Sequence, residues 1–265
     1  KMRIGDTTTN VLKDVLVFGA GYDPAKDAET SRVADALGKD VIIVDALTGN
    51  IEWSLVDKLY GGSLGSSPIK HSIPGDIRVM DMDRNGALDR LYFADTGGNL
   101  WRVDMDKDIR DGDSTMYDYA DAGLTKLADL GTGNNGSDYR KFFYEPDVAL
   151  MQYGGKTWLT IALGSGYRTH PLNTNTKDRF YVLLDPNVYN EVPNTFVPLT
   201  NSDLTAARNS QGLPNNFSLL DGVTKGWYYD LPNNGEKVLA PAVTFLNKAI
   251  FTTFAPVDEK GQAPS

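Results

Sequence analysis

The chain has no cysteine, so disulfides, thiolate nucleophiles and sulfur-ligated metals are all excluded. Histidine is nearly as scarce: the two copies, His71 and His170, have no partner at metal-binding spacing. Each lies in loop-like sequence, where a histidine is mostly structural or exposed, and that argues against a hydrolase. Gly164-Ser165-Gly166 lacks the longer spacing of a nucleophile elbow. Lysine and arginine total 26 against 35 aspartates and glutamates; the net charge of −9 argues against nucleic acid and anionic lipid as partners. No apolar run is long enough to span a membrane. The opening Lys-Met-Arg-Ile-Gly has no apolar signal core and runs almost at once into strand-like sequence. The expectation is an excised region whose targeting sequence lies elsewhere.

What is abundant is turn chemistry. The 265 residues include 26 glycines and 13 prolines, with Asn- and Asp-rich connections between short apolar, β-branched runs. Asp14-Val-Leu-Val-Phe-Gly-Ala-Gly-Tyr22 is a strand ending in Gly-x-Gly-Tyr, and Thr157-Trp-Leu-Thr-Ile-Ala-Leu-Gly-Ser-Gly-Tyr167 repeats it. A second element, Asp45-Ala-Leu-Thr48-Gly49-Asn-Ile-Glu-Trp53, returns in shortened form as Asp95-Thr96-Gly97-Gly98-Asn99-Leu-Trp101. In each, Thr-Gly suits a tight turn and the Trp ring covers neighbouring strands. Four-stranded units with a Trp per hairpin resemble the blades of quinoprotein-type β-propellers. The fold expectation is therefore all-β: a quinoprotein-like, modified β-propeller, and a fragment of a larger one. Blade-like groups fall around residues 1–73, 74–133, 142–205 and 221–265 of a single region, 1–265. Residues 106–140 and 186–218 read as long surface loops, with a short helix from an N-capping Ser202 to Asn209.

The segment with the most specific chemistry is Asp81-Met-Asp83-Arg-Asn85-Gly86-Ala87-Leu-Asp89. It places oxygen donors at alternate positions with a glycine at the turn. Ca²⁺ takes 6–8 oxygen ligands, and a short loop supplies them by curling around the ion. Asp81, Asp83 and Asn85 fill the first, third and fifth positions, the Ala87 carbonyl the seventh, and Asp89 the ninth, directly or through a water. The twelfth position of an EF-hand, a bidentate Glu, is Tyr92 here, and both flanks read as strands instead of helices. The simpler alternative is an Asp/Asn/Gly-rich turn without an ion. Three carboxylates within nine residues, which repel unless a cation is present, favour the ion.

This loop, running into Arg90-Leu-Tyr-Phe-Ala-Asp95-Thr-Gly-Gly-Asn99-Leu-Trp101-Arg-Val-Asp104, resembles the signature of the PilY-type type IV pilus proteins. The Gly-x-Gly-Tyr strands, Gly226-Trp-Tyr-Tyr-Asp230-Leu-Pro and the closing Ala249-Ile-Phe-Thr-Thr-Phe-Ala-Pro256 agree with it. The resemblance implies a C-terminal modified β-propeller with a Ca²⁺ site at Asp81, Asp83, Asn85, the Ala87 carbonyl and Asp89. It implies a non-enzymatic, pilus-tip-associated protein on the outer surface of a Gram-negative cell, reached by periplasmic transit. Its partners would be pilins or minor pilins, and a host-cell or abiotic surface. It would set the balance of pilus extension against retraction, and with it twitching motility and adhesion. The Arg-Gly-Asp of some members is absent; Arg110-Asp-Gly-Asp113 has another order, so integrin binding is not expected.

Two rival readings share the blade pattern. A pyrroloquinoline-quinone-type dehydrogenase would draw acidic groups from several blades to a central cavity, whereas here they sit in one local loop. A carbohydrate- or surface-binding propeller would stack ligand on Trp53, Trp101, Trp158 or Trp227, but each lies in strand-like sequence where blade packing competes. Tyr117, Tyr119 and Tyr139, in the 106–140 segment, are better placed for contact with a partner.

Overall fold

A computed structural model of the chain describes residues 2–5, 12–27, 31–105, 119, 122–131, 138–215 and 224–256. In chain order the strands are β1 (Met2–Gly5), β2 (Leu12–Gly19), β3 (Val41–Asp45) and β4 (Ile51–Ser54), then helix α1 (Leu55–Tyr60). Next come β5 (Arg78–Met80), β6 (Arg90–Ala94), β7 (Asn99–Asp104), β8 (Gly123–Asp129), β9 (Asp147–Tyr153), β10 (Lys156–Gly164) and β11 (Arg179–Asp185). The last five are β12 (Leu199–Thr200), β13 (Thr205–Ala206), β14 (Gly226–Asp230), β15 (Val243–Phe245) and β16 (Lys248–Ile250). Among the described residues no helix is long and apolar enough to cross a membrane.

Antiparallel pairing groups these strands into blade-like sheets. The first is β1-β2-β3-β4; the second is β5-β6-β7-β8 with β12 added parallel to β8. The third is β9-β10-β11-β14 with β13 parallel to β14, and β15-β16 form a separate hairpin. The all-β, propeller-like expectation stands, with no sheet closed on itself among the described residues. The grouping along the chain differs from the sequence expectation at its C-terminal end. Gly226–Asp230, expected in a group of its own, completes the third sheet by pairing with β11.

Strand alternation explains the stacking of the sheets. Leu91 and Phe93 of β6, with Trp101 and Val103 of β7, meet Ile43 and Trp53 of the first sheet in one core. Their neighbours Tyr92, Ala94 and Leu100 face the other way and meet Leu159, Ile161 and Leu183 of the third sheet. Both faces of the second sheet are thus covered, and every residue of β6 and β7 is buried. The opposite face of the third sheet, with Phe180 and Val182, packs on Leu231, Val238 and Phe251. Full burial of side chains this large stabilises by roughly 1.5–3 kcal/mol each.

The two Gly-x-Gly-Tyr repeats occupy equivalent places, at the end of the second strand of the first and third sheets. A Cβ at Gly19 would overlap Ile73, and one at Gly164 would overlap Val238, so glycine is required where the next stretch of chain crosses the strand end. The Thr-Gly repeats are not equivalent. One joins β3 to β4, with Asp45 Oδ1 accepting from the Leu47 and Thr48 N–H groups at 2.8 and 2.9 Å. The other joins β6 to β7, with Asp95 Oδ1 accepting from Gly97 and Asn99 N–H at 2.9 and 3.0 Å. The same turn chemistry serves two positions in a blade.

Two local expectations are corrected. The 106–140 segment contains β8, whose Gly123–Asp129 pair with β7. The helix expected over 202–209 is a 3₁₀ turn, Asn201–Asp203, followed by β13. Asp203 reaches back to accept from the Thr200 N–H and hydroxyl, both at 2.8 Å. That closes the turn, and the Trp227–Tyr228 strand then draws Thr205–Ala206 into the sheet.

Charge is buried between the second and third sheets. Arg90 and Arg102, both fully buried, bind Asp104 at 2.7 Å, and Arg102 also binds Asp185 at 2.7 Å. Arg90 donates to the Val188 carbonyl at 3.0 Å, and Arg102 to those of Asn187 at 3.0 Å and Asn190 at 2.6 Å. Tyr92 completes the group by donating to Asp185 at 3.1 Å, and burial, then the Asp185 charge, push its phenol pKa up. Breaking a buried ion pair from one side costs roughly 3–5 kcal/mol, because the abandoned charge stays in low dielectric. Arg102→Ala is expected to lower the melting temperature by roughly 10 °C. Tyr92→Phe, which removes one neutral donor, should lower it by only about 2–4 °C. Differential scanning calorimetry of both variants checks the ordering.

Candidate metal centre

The hairpin between β5 and β6 carries the acidic loop, and the ladder sets its ends: Met80 pairs with Arg90, leaving residues 81–89 to close the turn. The Asp89 N–H donates to the Met80 carbonyl at 2.9 Å, and its own carbonyl accepts from Met105 N–H at 2.7 Å. The far end of the loop is therefore anchored in the second sheet. Arg84 and Gly86 take left-handed backbone angles, φ 67° and 91°. Such angles curl a chain inward, and for arginine they carry strain of the kind that collects at functional sites.

Side chains and backbone amides organise the interior of the curl. Asp81 accepts from Arg84 N–H at 2.6 Å and from Gly86 N–H at 3.0 Å. Asp83 accepts from the backbone and side-chain amides of Asn85 at 2.8 and 2.9 Å. Asn85 Oδ1 accepts from Ala87 N–H at 2.7 Å, and Asp89 Oδ2 accepts from Met82 N–H. Asp81, Asp83 and Asp89 each offer an oxygen within 4.8 Å of the others, the one group of this kind among the described residues. Oxygens bound to one Ca²⁺ at roughly 2.3–2.6 Å lie no farther apart than about twice that length, so the spacing suits such an ion. The three aspartates could hold a metal; Asn85 and Ala87 lie on the same turn, with Asn85 exposed and Ala87 buried.

The burial of the three carboxylates is unequal. Asp81 and Asp83 are exposed, whereas Asp89 is only 3% exposed. Burial, reinforced by the Asp83 and Asp81 charges, raises the Asp89 pKa to about 6 against the pull of the Met82 and Asp83 amides. Burial and two neighbouring negative charges disfavour the ionised Asp89 carboxylate, and a cation beside it would favour that form.

The remaining candidates fall elsewhere. His71 is buried with its ring against Gly97, and burial lowers its pKa and keeps it neutral. The His170 ring lies 4.9 Å from that of Tyr167, tilted by 59°, and stands 3.8 Å from Asp27. Trp53, Trp101 and Trp158 are buried, as blade packing requires, and Trp101 donates its indole N–H to Asp95 at 2.8 Å. The tyrosines expected on a contact surface are not on one: Tyr119 and Tyr139 are 7% and 5% exposed. Tyr119 joins the first core, and the Tyr139 ring lies 4.7 Å from the Lys141 ammonium. Tyr117 and Arg110–Asp113 lie outside the described residues. Sequence reasoning missed the role of Arg90, which follows the last acidic residue directly. Its signal was present: charged Arg90, Arg102 and Asp104 fall on one alternating face of two strands that are otherwise mostly apolar.

No protein-family model matches the chain, and no curated protein does. Among solved structures it resembles the crystal structure of the Pseudomonas aeruginosa PilY1 C-terminal domain, with a TM-score of 0.62 at 17% identity. The alignment covers 96% of this chain and 55% of that one, so the chain spans about half the length of its structural neighbour. The likeness establishes a PilY-like fold.

The Asp89 shift has a definite sign. In the metal-free protein its folded pKa, about 6, lies above the unfolded value near 3.9, so its favourable contribution is complete below pH 4. That contribution is lost as pH rises through 6. Asp89→Asn, which keeps an oxygen acceptor, is expected to stabilise the metal-free protein at pH 7 by about 1–3 kcal/mol. The advantage should vanish near pH 4. Urea denaturation in chelator at the two pH values measures it.

Proposed function

We propose that this chain is a calcium-binding, propeller-like region of a type IV pilus-associated protein, acting by binding and regulation and catalysing no reaction. One observation carries the reading. Three aspartates converge on a strained loop between two strands of a fold shared with a pilus protein's C-terminal domain. In the proposal Asp81, Asp83, Asn85, the Ala87 carbonyl and Asp89 are the ligands. Hard oxygen donors, three of them carboxylates, favour Ca²⁺, and their placement on an exposed loop favours it over Mg²⁺. An extracellular site of this type works at roughly 10⁻⁴–10⁻³ M, tightened by a high charge count.

Calcium would act by relieving the repulsion that the empty loop carries, so that the filled loop becomes the favoured one of two states. The setting is the outer surface of a Gram-negative cell. The partners are pilins or minor pilins, with a host-cell or abiotic surface as the adhesion target. The output is the balance between pilus extension and retraction, read as twitching motility.

Isothermal titration of the purified chain with Ca²⁺ is expected to give one saturable site. Asp81→Asn and Asp89→Asn should each weaken it tenfold or more while circular dichroism stays that of the parent. A parent without a saturable site, or both variants with undiminished affinity, would sink the ligand assignment. The pilus assignment is tested separately, by replacing the gene's own copy with Asp81→Asn and measuring twitching with and without calcium. A motility response to calcium identical to the parent's would count against it.

A further inference from the structure

The acidic loop contains an Asn-Gly pair, Asn85-Gly86, and a second, Asn234-Gly235, lies between β14 and β15. Both asparagines are exposed; Asn135-Gly136 lies outside the described residues. An asparagine before glycine is open to attack on its side-chain carbonyl carbon by the next backbone nitrogen. Glycine has no Cβ to keep the two apart.

In the loop, hydrogen bonds fall on the atoms that this reaction changes. The Gly86 N–H, which must lose its proton, donates to Asp81 Oδ2 at 3.0 Å, within reach of a general base. Asn85 Oδ1, where negative charge develops, accepts from the Ala87 N–H at 2.7 Å, as an oxyanion does from a backbone donor. Asn85 Nδ2, the group that departs, donates to Asp83 Oδ2 at 2.9 Å. Asn234 has no such setting. Its side chain makes no hydrogen bond among the described residues, and Gly235 packs against Thr174 and Pro256.

We propose that Asn85 is a self-modification site, deamidated in the metal-free loop and shielded when a cation fills it. Gly86 N gives its proton to Asp81 and bonds to Asn85 Cγ. The Cγ–Nδ2 bond breaks, and ammonia leaves carrying that proton. Water then adds to one carbonyl of the succinimide and opens the ring. One opening yields aspartate, which adds a carboxylate beside Asp81, Asp83 and Asp89. The other yields isoaspartate, whose extra main-chain methylene puts the later oxygen donors out of step. The shielding rests on the calcium reading, in which Asp81 and Asn85 are ligands and are drawn from these roles.

The purified chain is incubated at mildly alkaline pH, in chelator or in excess calcium, and each asparagine is followed by peptide mapping with mass spectrometry. In chelator Asn85 is expected to deamidate at least about fivefold faster than Asn234. Asp81→Asn keeps an acceptor for the Gly86 N–H but cannot take its proton, and should slow Asn85 by about threefold or more. Calcium should slow Asn85 by about fivefold or more and leave Asn234 unchanged. Asn85 no faster than Asn234 in chelator, or unslowed by Asp81→Asn, would overturn the modification site; these arms contain no calcium. If titration shows a saturated site and Asn85 still reacts at the chelator rate, the shielding is overturned and the calcium reading stands. Absence of a saturable site removes the calcium reading and the shielding together, and leaves the result in chelator intact.

Discussion

Two buried guanidinium groups hold this molecule's sheets in register. Arg90 and Arg102 rise from neighbouring strands of the second sheet and share Asp104, and Arg102 reaches on to Asp185 at the end of β11 in the third. Arginine suits the place because its planar fork makes several directed bonds at once, and the carbonyls of Asn187, Val188 and Asn190 use the donors that remain. Hydrophobic packing between the sheets is stronger in sum but non-directional; it permits sliding. The ion network is weaker evidence for stability than for position, since apolar replacements of buried pairs are often neutral.

The metal loop inherits its footing from that network. Asp89 and Arg90 are consecutive: one faces the loop and the other the intersheet charges. Strand alternation puts neighbouring side chains on opposite faces, so a carboxylate destined for a cation and a guanidinium destined for the interior come from one short stretch. This is why Asp89 is buried while Asp81 and Asp83 remain in solvent, and that burial raises the Asp89 pKa. The loop's outer half is held by its own backbone amides. Its inner half belongs to the sheet.

Much of this was readable from residues. The alternation of oxygen donors in 81–89 is a local signal, and local signals survive folding because the groups involved are neighbours in sequence. The Gly-x-Gly-Tyr repeat marked equivalent strand ends for the same reason: close backbone approach admits only glycine. Long-range pairing was less legible. Nothing within Gly226–Asp230 says whether it starts a new sheet or closes an earlier one; the choice rests on β11, more than forty residues upstream. Tyr139 shows that a loop-like composition does not imply exposure. In the fold that stretch passes between blades, where aromatic rings are covered. The short helix over 202–209 failed because propensity is a weak prior, and an open sheet edge at Trp227 outbid it.

The hairpin carrying the aspartates is closed at both ends by constraints of different origin. At one side Met80 and Arg90 must stay opposite each other in the ladder; at the other, the turn must spend nine residues to bring three carboxylates together. Arg90 is also held by its pairing and ion pair with Asp104, so a residue added or deleted between them would be absorbed within the turn and would disturb the alternation of oxygen donors there. The span's length is therefore a constraint set by the convergence of its three carboxylates, while the pairing of β6 with β7 holds the blade independently of it.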